Sequence, residues 1–129
     1  MSMLTSSARV RVVVFGLLAL AGAALTARFN LQFSNAHGGF HLAEYVKAGY
    51  ANSASTSFTI DILIAAIAGM IFMAVEGRRL RMRSTIPLII SIFVLAFAFA
   101  FPAFLALREL KIAHQHLTAE ELRGAFGAR

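Results

Sequence analysis

The chain has 129 residues, of which 59% are hydrophobic and only 14% are charged, with a mean hydropathy of +0.75. A soluble domain of this length would need more polar surface, and the length allows no more than one domain. The net charge of +6 does not indicate nucleic-acid binding, because its arginines cluster beside apolar segments, and the absence of cysteine excludes disulfides and thiolate metal sites.

The first apolar segment covers about residues 12–27 and predicts a membrane-spanning helix. Its sixteen residues are short for a ~30 Å hydrocarbon core, but Arg11 and Arg28 can extend their charged ends to the interface. A cleaved signal peptide is the alternative, since Arg9 and Arg11 precede the apolar run. Leu25 makes Ala24–Ala27 a poor cleavage site, so we expect the segment to remain in the protein.

The loop that follows contains a short amphipathic stretch, residues 40–50. Leu42, Tyr45 and Val46 fall on one helical face, whereas Glu44 and Lys47 fall on the other. This pattern predicts a short helix in the plane of the membrane interface. The two glycines that follow His37 predict a loop before that helix.

The second predicted span covers residues 58–75 and contains one acid, Asp61. Serines and a threonine at 53–57 are its expected N-caps. An ionisable residue inside a span suggests a functional role, but Asp61 also lies in the first helical turn, where the helix dipole favours a carboxylate. Both interpretations stay open, and a contact between Asp61 and Arg108 is geometrically possible if their helices are neighbours.

A cluster of arginines at positions 78–83 separates this span from the third, which we place at residues 85–107. The cluster is typical of a loop retained in the cytoplasm and attracted to anionic lipid headgroups. Glu76 and Arg79, three residues apart, predict a local ion pair. Pro102 predicts a kink near the end of the third span.

The chain therefore divides into a three-span membrane domain, residues 1–112, and a short amphipathic tail, residues 113–129. Thr118 and Glu121 in the tail match a capping box, which predicts a separate short helix. Three crossings place the N-terminus and the arginine cluster on one side and the C-terminus on the other. The arginines beside the spans favour a cytoplasmic N-terminus.

Few residues could carry chemistry. His37, His41 and Glu44 have a spacing compatible with metal ligands, but the intervening glycines disrupt helical geometry and no fourth ligand is near, so we expect no metal site and no cofactor. The remaining candidates for a functional site are Asp61, Arg108, Glu76, Arg79, His37 and Glu44. No phosphate-binding loop or catalytic-nucleophile motif is present.

Several short motifs resemble the DUF2834 family of small bacterial membrane proteins of unknown function. The most specific are Glu-x-Arg-Arg-x2-Met-Arg, starting at Glu76, and Pro-x-Phe-Leu-x2-Arg-Glu, starting at Pro102. A further motif, Phe58-x2-Asp61, lies at the start of the second span. The resemblance covers about residues 10–112. It implies a bacterial inner-membrane location and supplies no activity.

The sequence thus predicts an all-α membrane protein with three transmembrane helices and an interfacial helix. We expect a non-enzymatic accessory subunit or a binder of lipid or another apolar ligand near Asp61. Its expected partners are the bilayer and a membrane protein or a second copy of the chain, and not nucleic acid. One alternative is a small oligomeric transporter or proton-coupled unit that uses Asp61. Another is a membrane enzyme acting on an isoprenoid-type apolar substrate.

Overall fold

A computed structural model describes residues 4–127, and those residues form helices without any strand. The all-α class expected from the sequence is confirmed. The five helices are α1 (Ser6–Ala36), α2 (Leu42–Gly49), α3 (Ser53–Arg79), α4 (Thr85–Val94) and α5 (Phe97–Gly127).

Two of the helices in residues 4–127, α1 and α3, are long and apolar enough to cross a membrane. The expectation of three spanning helices is wrong, because the third apolar segment divides into two helices. Its first part, α4, has only ten residues, which at 1.5 Å per residue is about 15 Å. Its second part forms the beginning of α5, which continues into the polar end of the chain.

Helices α4 and α5 fold back on each other as a hairpin. Thr85, at the start of α4, lies against Gly77 near the end of α3. Arg108, twelve residues into α5, forms an ion pair with Glu76, one residue before Gly77. The start of α4 and the middle of α5 therefore lie at the same end of α3, and the chain reverses between them at Leu95 and Ala96.

We call the end of the molecule that contains residues 80–84 the arginine-loop end, and the opposite end, which contains Gly38 and Gly39, the glycine-loop end. Both glycines have positive φ angles, 67° and 146°, which a residue with a side chain rarely adopts. The loop expected after His37 is thus present, and it leads into α2, close to the short helix expected at residues 40–50.

The break in the third apolar segment falls at Leu95 and Ala96, several residues before Pro102, where the sequence predicts a kink. Helix α5 runs through Pro102 without ending. Proline has no N–H to donate, so the carbonyl of Ala98, four residues earlier, lacks its usual helical donor. That carbonyl lies against Gly22 of α1, where an added Cβ atom would overlap it.

Helix α5 lies at the centre of the fold and contacts α1, α3 and α4. It runs antiparallel to α1, since Gly22 meets Ala98 near one end of the contact and Arg11 meets Glu109 near the other. Against α3 it contributes Phe104, which is fully buried and contacts Phe72 edge-on. The core is therefore a narrow seam along α5.

Two local expectations from the sequence need correction. The N-cap of α3 is Asn52, whose side chain accepts from the amide of Ser55 at 2.9 Å while the Ser55 hydroxyl accepts from the Asn52 amide. A residue before the serine run provides the cap because its side chain completes a reciprocal pair. The expected separate tail helix does not form within the described residues, because α5 continues without a break to Gly127. The Thr118 hydroxyl donates to the His114 carbonyl at 3.1 Å inside this helix and does not cap a new one.

Candidate functional site

Glu76 is the best-connected ionisable residue in the described part of the chain. Its side chain accepts two hydrogen bonds from Arg79, at 2.8 and 2.6 Å, and one from Arg108 at 2.7 Å. The residue is only 7% exposed although it is charged. A buried carboxylate requires such partners, because an unpaired charge in this position would be costly. The ion pair predicted between Glu76 and Arg79 is confirmed, and Arg108 is a further partner.

Arg108 links Glu76 to a second acid, Glu109. Its Nη1 atom lies 3.4 Å from Glu109 Oε1, and Arg11 of α1 lies 2.9 Å from Glu109 Oε2. The resulting ion-pair network, which comprises Arg79, Glu76, Arg108, Glu109 and Arg11, joins α3, α5 and α1 at the arginine-loop end. It fixes the relative positions of three helices and places both of its carboxylates between guanidinium groups.

Asp61 lies outside this network. Its side chain is exposed, and within residues 4–127 it has no hydrogen bond or ion pair. Fifteen residues of helix, about 22 Å, separate it from Glu76. The contact between Asp61 and Arg108 that the sequence left possible does not form, because the reversal at Leu95 and Ala96 carries Arg108 to the opposite end of α3.

His37 belongs to a small aromatic cluster at the glycine-loop end. Its ring stacks on Phe33 with centroids 4.1 Å apart, and its Nδ1 atom lies 2.9 Å from the Phe33 carbonyl oxygen. Tyr45 of α2 meets the same phenylalanine edge-on. Glu44 is exposed on α2, and no group of three or more metal-ligating side chains comes together in residues 4–127.

An open groove of about 630 Å³ lies beyond the tip of the α4–α5 hairpin, and we call it the tip cavity. Several of its wall residues are exposed, among them Phe93 at 77% and Val94 at 74%. It exists because the hairpin reverses before it reaches the glycine-loop end, so that α2 covers space that a full third span would fill. The walls come from α1, α2, α3 and the hairpin tip. They are formed by Thr26, Asn30, Phe40, Leu42, Tyr45, Ile62, the segment Ile92–Val94, Leu95, Ala96, Phe97 and Ala98.

The tip cavity contains no Asp, Glu, Lys, Arg or His in its wall. Its polar side chains come from three residues near one another in the fold. The Tyr45 hydroxyl donates to Asn30 Oδ1 at 3.0 Å, and Thr26, one helical turn before Asn30, contributes a hydroxyl. The Asn30 amide N–H and the Thr26 hydroxyl make no hydrogen bond to described residues and are available to a ligand.

Sequence reasoning missed the tip cavity, and also the roles of Glu109 and Arg11. Asn30 and Tyr45 lie on different helices joined by a glycine loop, so no sequence spacing relates them. Arg11 and Glu109 are 98 positions apart. A signal was available only for Glu109, because the pair Arg108–Glu109 interrupts an otherwise apolar stretch.

Of the comparisons with known proteins, the one with protein families gives a match. No curated protein and no solved structure matches this chain. The model of a family described as "Protein of unknown function DUF2834" matches residues 14–110, which are most of the chain and include Glu76, Arg79, Arg108 and Glu109 but not Arg11. The chain therefore belongs to the DUF2834 family, as its motifs indicated.

Proposed function

We propose that this chain is a non-enzymatic integral membrane protein that binds one uncharged, largely apolar molecule in the tip cavity. The membrane assignment is supported by the outer faces of α1 and α3. Only 6% of the apolar window of α1 and 17% of that of α3 are buried within the fold. A soluble protein would bury such helices, whereas in a bilayer their exposed leucines, isoleucines and valines face acyl chains.

A removable signal sequence is a poor description of α1. This helix packs along α5, supplies Arg11 to the ion-pair network and meets the backbone of Ala98 at Gly22. Removing it would expose the central helix of the fold and leave Glu109 with Arg108 alone. These contacts support a first helix that stays in the protein.

The tip cavity is the single observation that carries the proposed function. Ligand pockets are mostly apolar and have a few polar groups that orient the ligand. Here the walls are aliphatic and aromatic, and the polar edge is formed by Thr26, Asn30 and Tyr45. With no charged group in the wall, a fully charged headgroup would be unpaired. The cavity suits a molecule with a hydrocarbon body and one hydroxyl or carbonyl group.

The surroundings of Asp61 favour binding over the two alternatives that depend on that residue. A proton-coupled unit or an enzyme needs the carboxylate inside a cavity, near a second group with which it exchanges a proton. Asp61 instead lies on an exposed face and outside the wall of the tip cavity. A role as a subunit of a larger membrane assembly is compatible with ligand binding, because the exposed faces of α1 and α3 leave room for a neighbour.

The proposal is tested by filling the tip cavity. Ala96→Trp places a large side chain in its wall, and Ala68→Trp makes the same change on an exposed face of α3 as a matched control. Native mass spectrometry of the detergent-solubilised protein with added long-chain alcohol or monoacylglycerol measures occupancy. We expect one molecule bound to the parent chain and to Ala68→Trp, with affinity reduced about tenfold or more in Ala96→Trp, since the substitution removes the volume that the hydrocarbon occupies.

Equal binding by both tryptophan variants would contradict the proposal and would indicate that the alcohol adheres to the exposed helix faces. Thr26→Val provides a second variant of similar volume to Thr26 that removes only the hydroxyl. Thr26→Val should weaken binding of the long-chain alcohol more than binding of the corresponding alkane. Circular dichroism of each variant checks that the helices are intact.

A further inference from the structure

A shallow, open depression lies at the arginine-loop end, far from the tip cavity, and we call it the basic pocket. Its volume is about 480 Å³, and it lies between α5 and the arginine loop, residues 80–84. It is lined by Arg81, Met82, Arg83, Ser84, Leu107, Leu110, Lys111 and His114. No acidic side chain lies among them.

The cations of the basic pocket are not neutralised by the protein. The acids closest in sequence to its cations, Glu76 and Glu109, are occupied by Arg79, Arg108 and Arg11. Within residues 4–127, Arg81, Arg83 and Lys111 form no ion pair. Three positive side chains thus line one concave surface without a counter-charge, an arrangement that attracts an anion.

Hydrogen bonds order the backbone of the loop that carries the two arginines. Arg81 has a φ of 53°, a left-handed conformation that is unfavourable for a residue with a side chain. It is held there because the Met82 amide donates to the Gly77 carbonyl at 2.8 Å and the Thr85 hydroxyl donates to the Met82 carbonyl at 3.0 Å. The loop is therefore a structured turn between α3 and α4.

The α5 side of the pocket combines apolar and basic groups on one helical face. Leu107, Leu110, Lys111 and His114 follow the spacing of a single face, with the leucines nearer the apolar half of the helix and the polar residues beyond them. Leu107 and Leu110 are exposed, at 38% and 40%. A ligand in this position would meet hydrocarbon on one side and positive charge on the other.

We propose that the basic pocket binds the phosphate headgroup of an anionic phospholipid, with Arg81, Arg83 and Lys111 around the phosphate and the acyl chains along Leu107 and Leu110. Basic pockets between helices at the membrane surface are suited to acidic lipid headgroups. A free phosphate would contact the cationic side chains but leave the two leucines without a partner. Nucleic acid would likewise leave the leucines without an apolar partner. This site is separate from the tip cavity and requires a charged ligand where that cavity requires an uncharged one.

The test compares two variants with the same loss of charge. The pocket variant carries Arg81→Gln, Arg83→Gln and Lys111→Gln, and the control variant carries Arg28→Gln, Lys47→Gln and Arg123→Gln. Native mass spectrometry of protein taken from nanodiscs that contain phosphatidylglycerol and phosphatidylcholine counts the lipids retained. We expect the parent chain and the control variant to retain one phosphatidylglycerol with about tenfold preference over phosphatidylcholine, and the pocket variant to lose that preference.

The proposal is overturned if the pocket variant retains phosphatidylglycerol as the parent does, or if both variants lose it equally, which would indicate attraction by net charge alone. Inorganic phosphate and glycerol phosphate distinguish the source of the anion. If millimolar amounts of either displace the lipid completely, the site is for a soluble phosphate compound and the lipid assignment is wrong. Binding of long-chain alcohol to the pocket variant should be unchanged, so that failure here and failure of the tip cavity are separable.

Discussion

Glu76 and Asp61 are two carboxylates of the same helix with opposite surroundings. Glu76 is buried between Arg79 and Arg108, whereas Asp61 is exposed and has no partner in residues 4–127. We expect Glu76→Leu to lower the free energy of unfolding by about 2 kcal/mol, because it leaves the half-buried Arg108 with only its longer contact to Glu109. Asp61→Leu should change it by less than about 0.5 kcal/mol or raise it. Titration of helicity with denaturing detergent measures both.

A double variant separates charge pairing from packing. In Glu76→Leu/Arg108→Leu both members of the pair are replaced by hydrocarbon, so the loss should be smaller than the sum of the two single losses. Asp61→Leu destabilising the protein more than Glu76→Leu would contradict the exposed position of Asp61 in this fold. Asp61 would then again be a leading candidate for a functional residue.

At the scale of elements, the contact between α1 and α5 depends on a glycine. A Cβ atom at Gly22 would overlap the carbonyl of Ala98, and backbone atoms cannot move aside as a flexible side chain can. Gly16 lies on the same helix with open space where its Cβ would be. We expect Gly22→Ala to cost about 1–3 kcal/mol, and Gly16→Ala to be neutral or slightly stabilising because alanine favours helix.

Thermal unfolding followed by circular dichroism in one detergent compares the two alanine variants under identical conditions. A cost at Gly16 equal to that at Gly22 would mean that α1 does not pack on α5 through this face. The prediction also tests the hairpin, because Ala98 lies at the start of α5 directly after the reversal. A straight third span would place other atoms against Gly22.

The sequence revealed some elements and concealed others for identifiable reasons. The short helix near residues 40–50 and the Glu76–Arg79 pair follow from local spacing, and both are present. The reversal at Leu95 and Ala96 has no local signal, because it lies in an uninterrupted apolar run while Pro102, the expected breaker, stays inside α5. The reversal brings together residues that are distant in sequence, because it lets Arg108 pair with Glu76 and Glu109 pair with Arg11. The tip cavity was equally hidden, since it results from the reversal.

At the scale of the whole molecule, the hairpin changes how charge is distributed between the two ends. With three crossings, Lys and Arg divide evenly and orientation rests on their proximity to the spans. In the observed fold, Arg28 and Lys47 are the two such residues on the glycine-loop side of the hairpin tip, and the others within residues 4–127 lie at or beyond the arginine-loop end. Loops rich in Lys and Arg are retained in the cytoplasm. The excess of Lys and Arg at the arginine-loop end is therefore much larger than a chain with three crossings would have.

This distribution predicts that the N-terminus, the arginine loop and the C-terminus all lie in the cytoplasm, with the glycine loop on the other side of the membrane. Reporters that are active on one side only, placed after Arg83, between Gly38 and Gly39, and at the C-terminus, measure the arrangement. We expect the first and third to agree and the second to be opposite, because in the proposed arrangement α1 and α3 each cross once while the α4–α5 hairpin enters and leaves on the same side. A C-terminal reporter opposite to the one after Arg83 would mean that the third apolar segment crosses as a straight helix. In that case Arg108 could not reach Glu76, and the ion-pair network and the tip cavity would both be absent from the protein in its membrane.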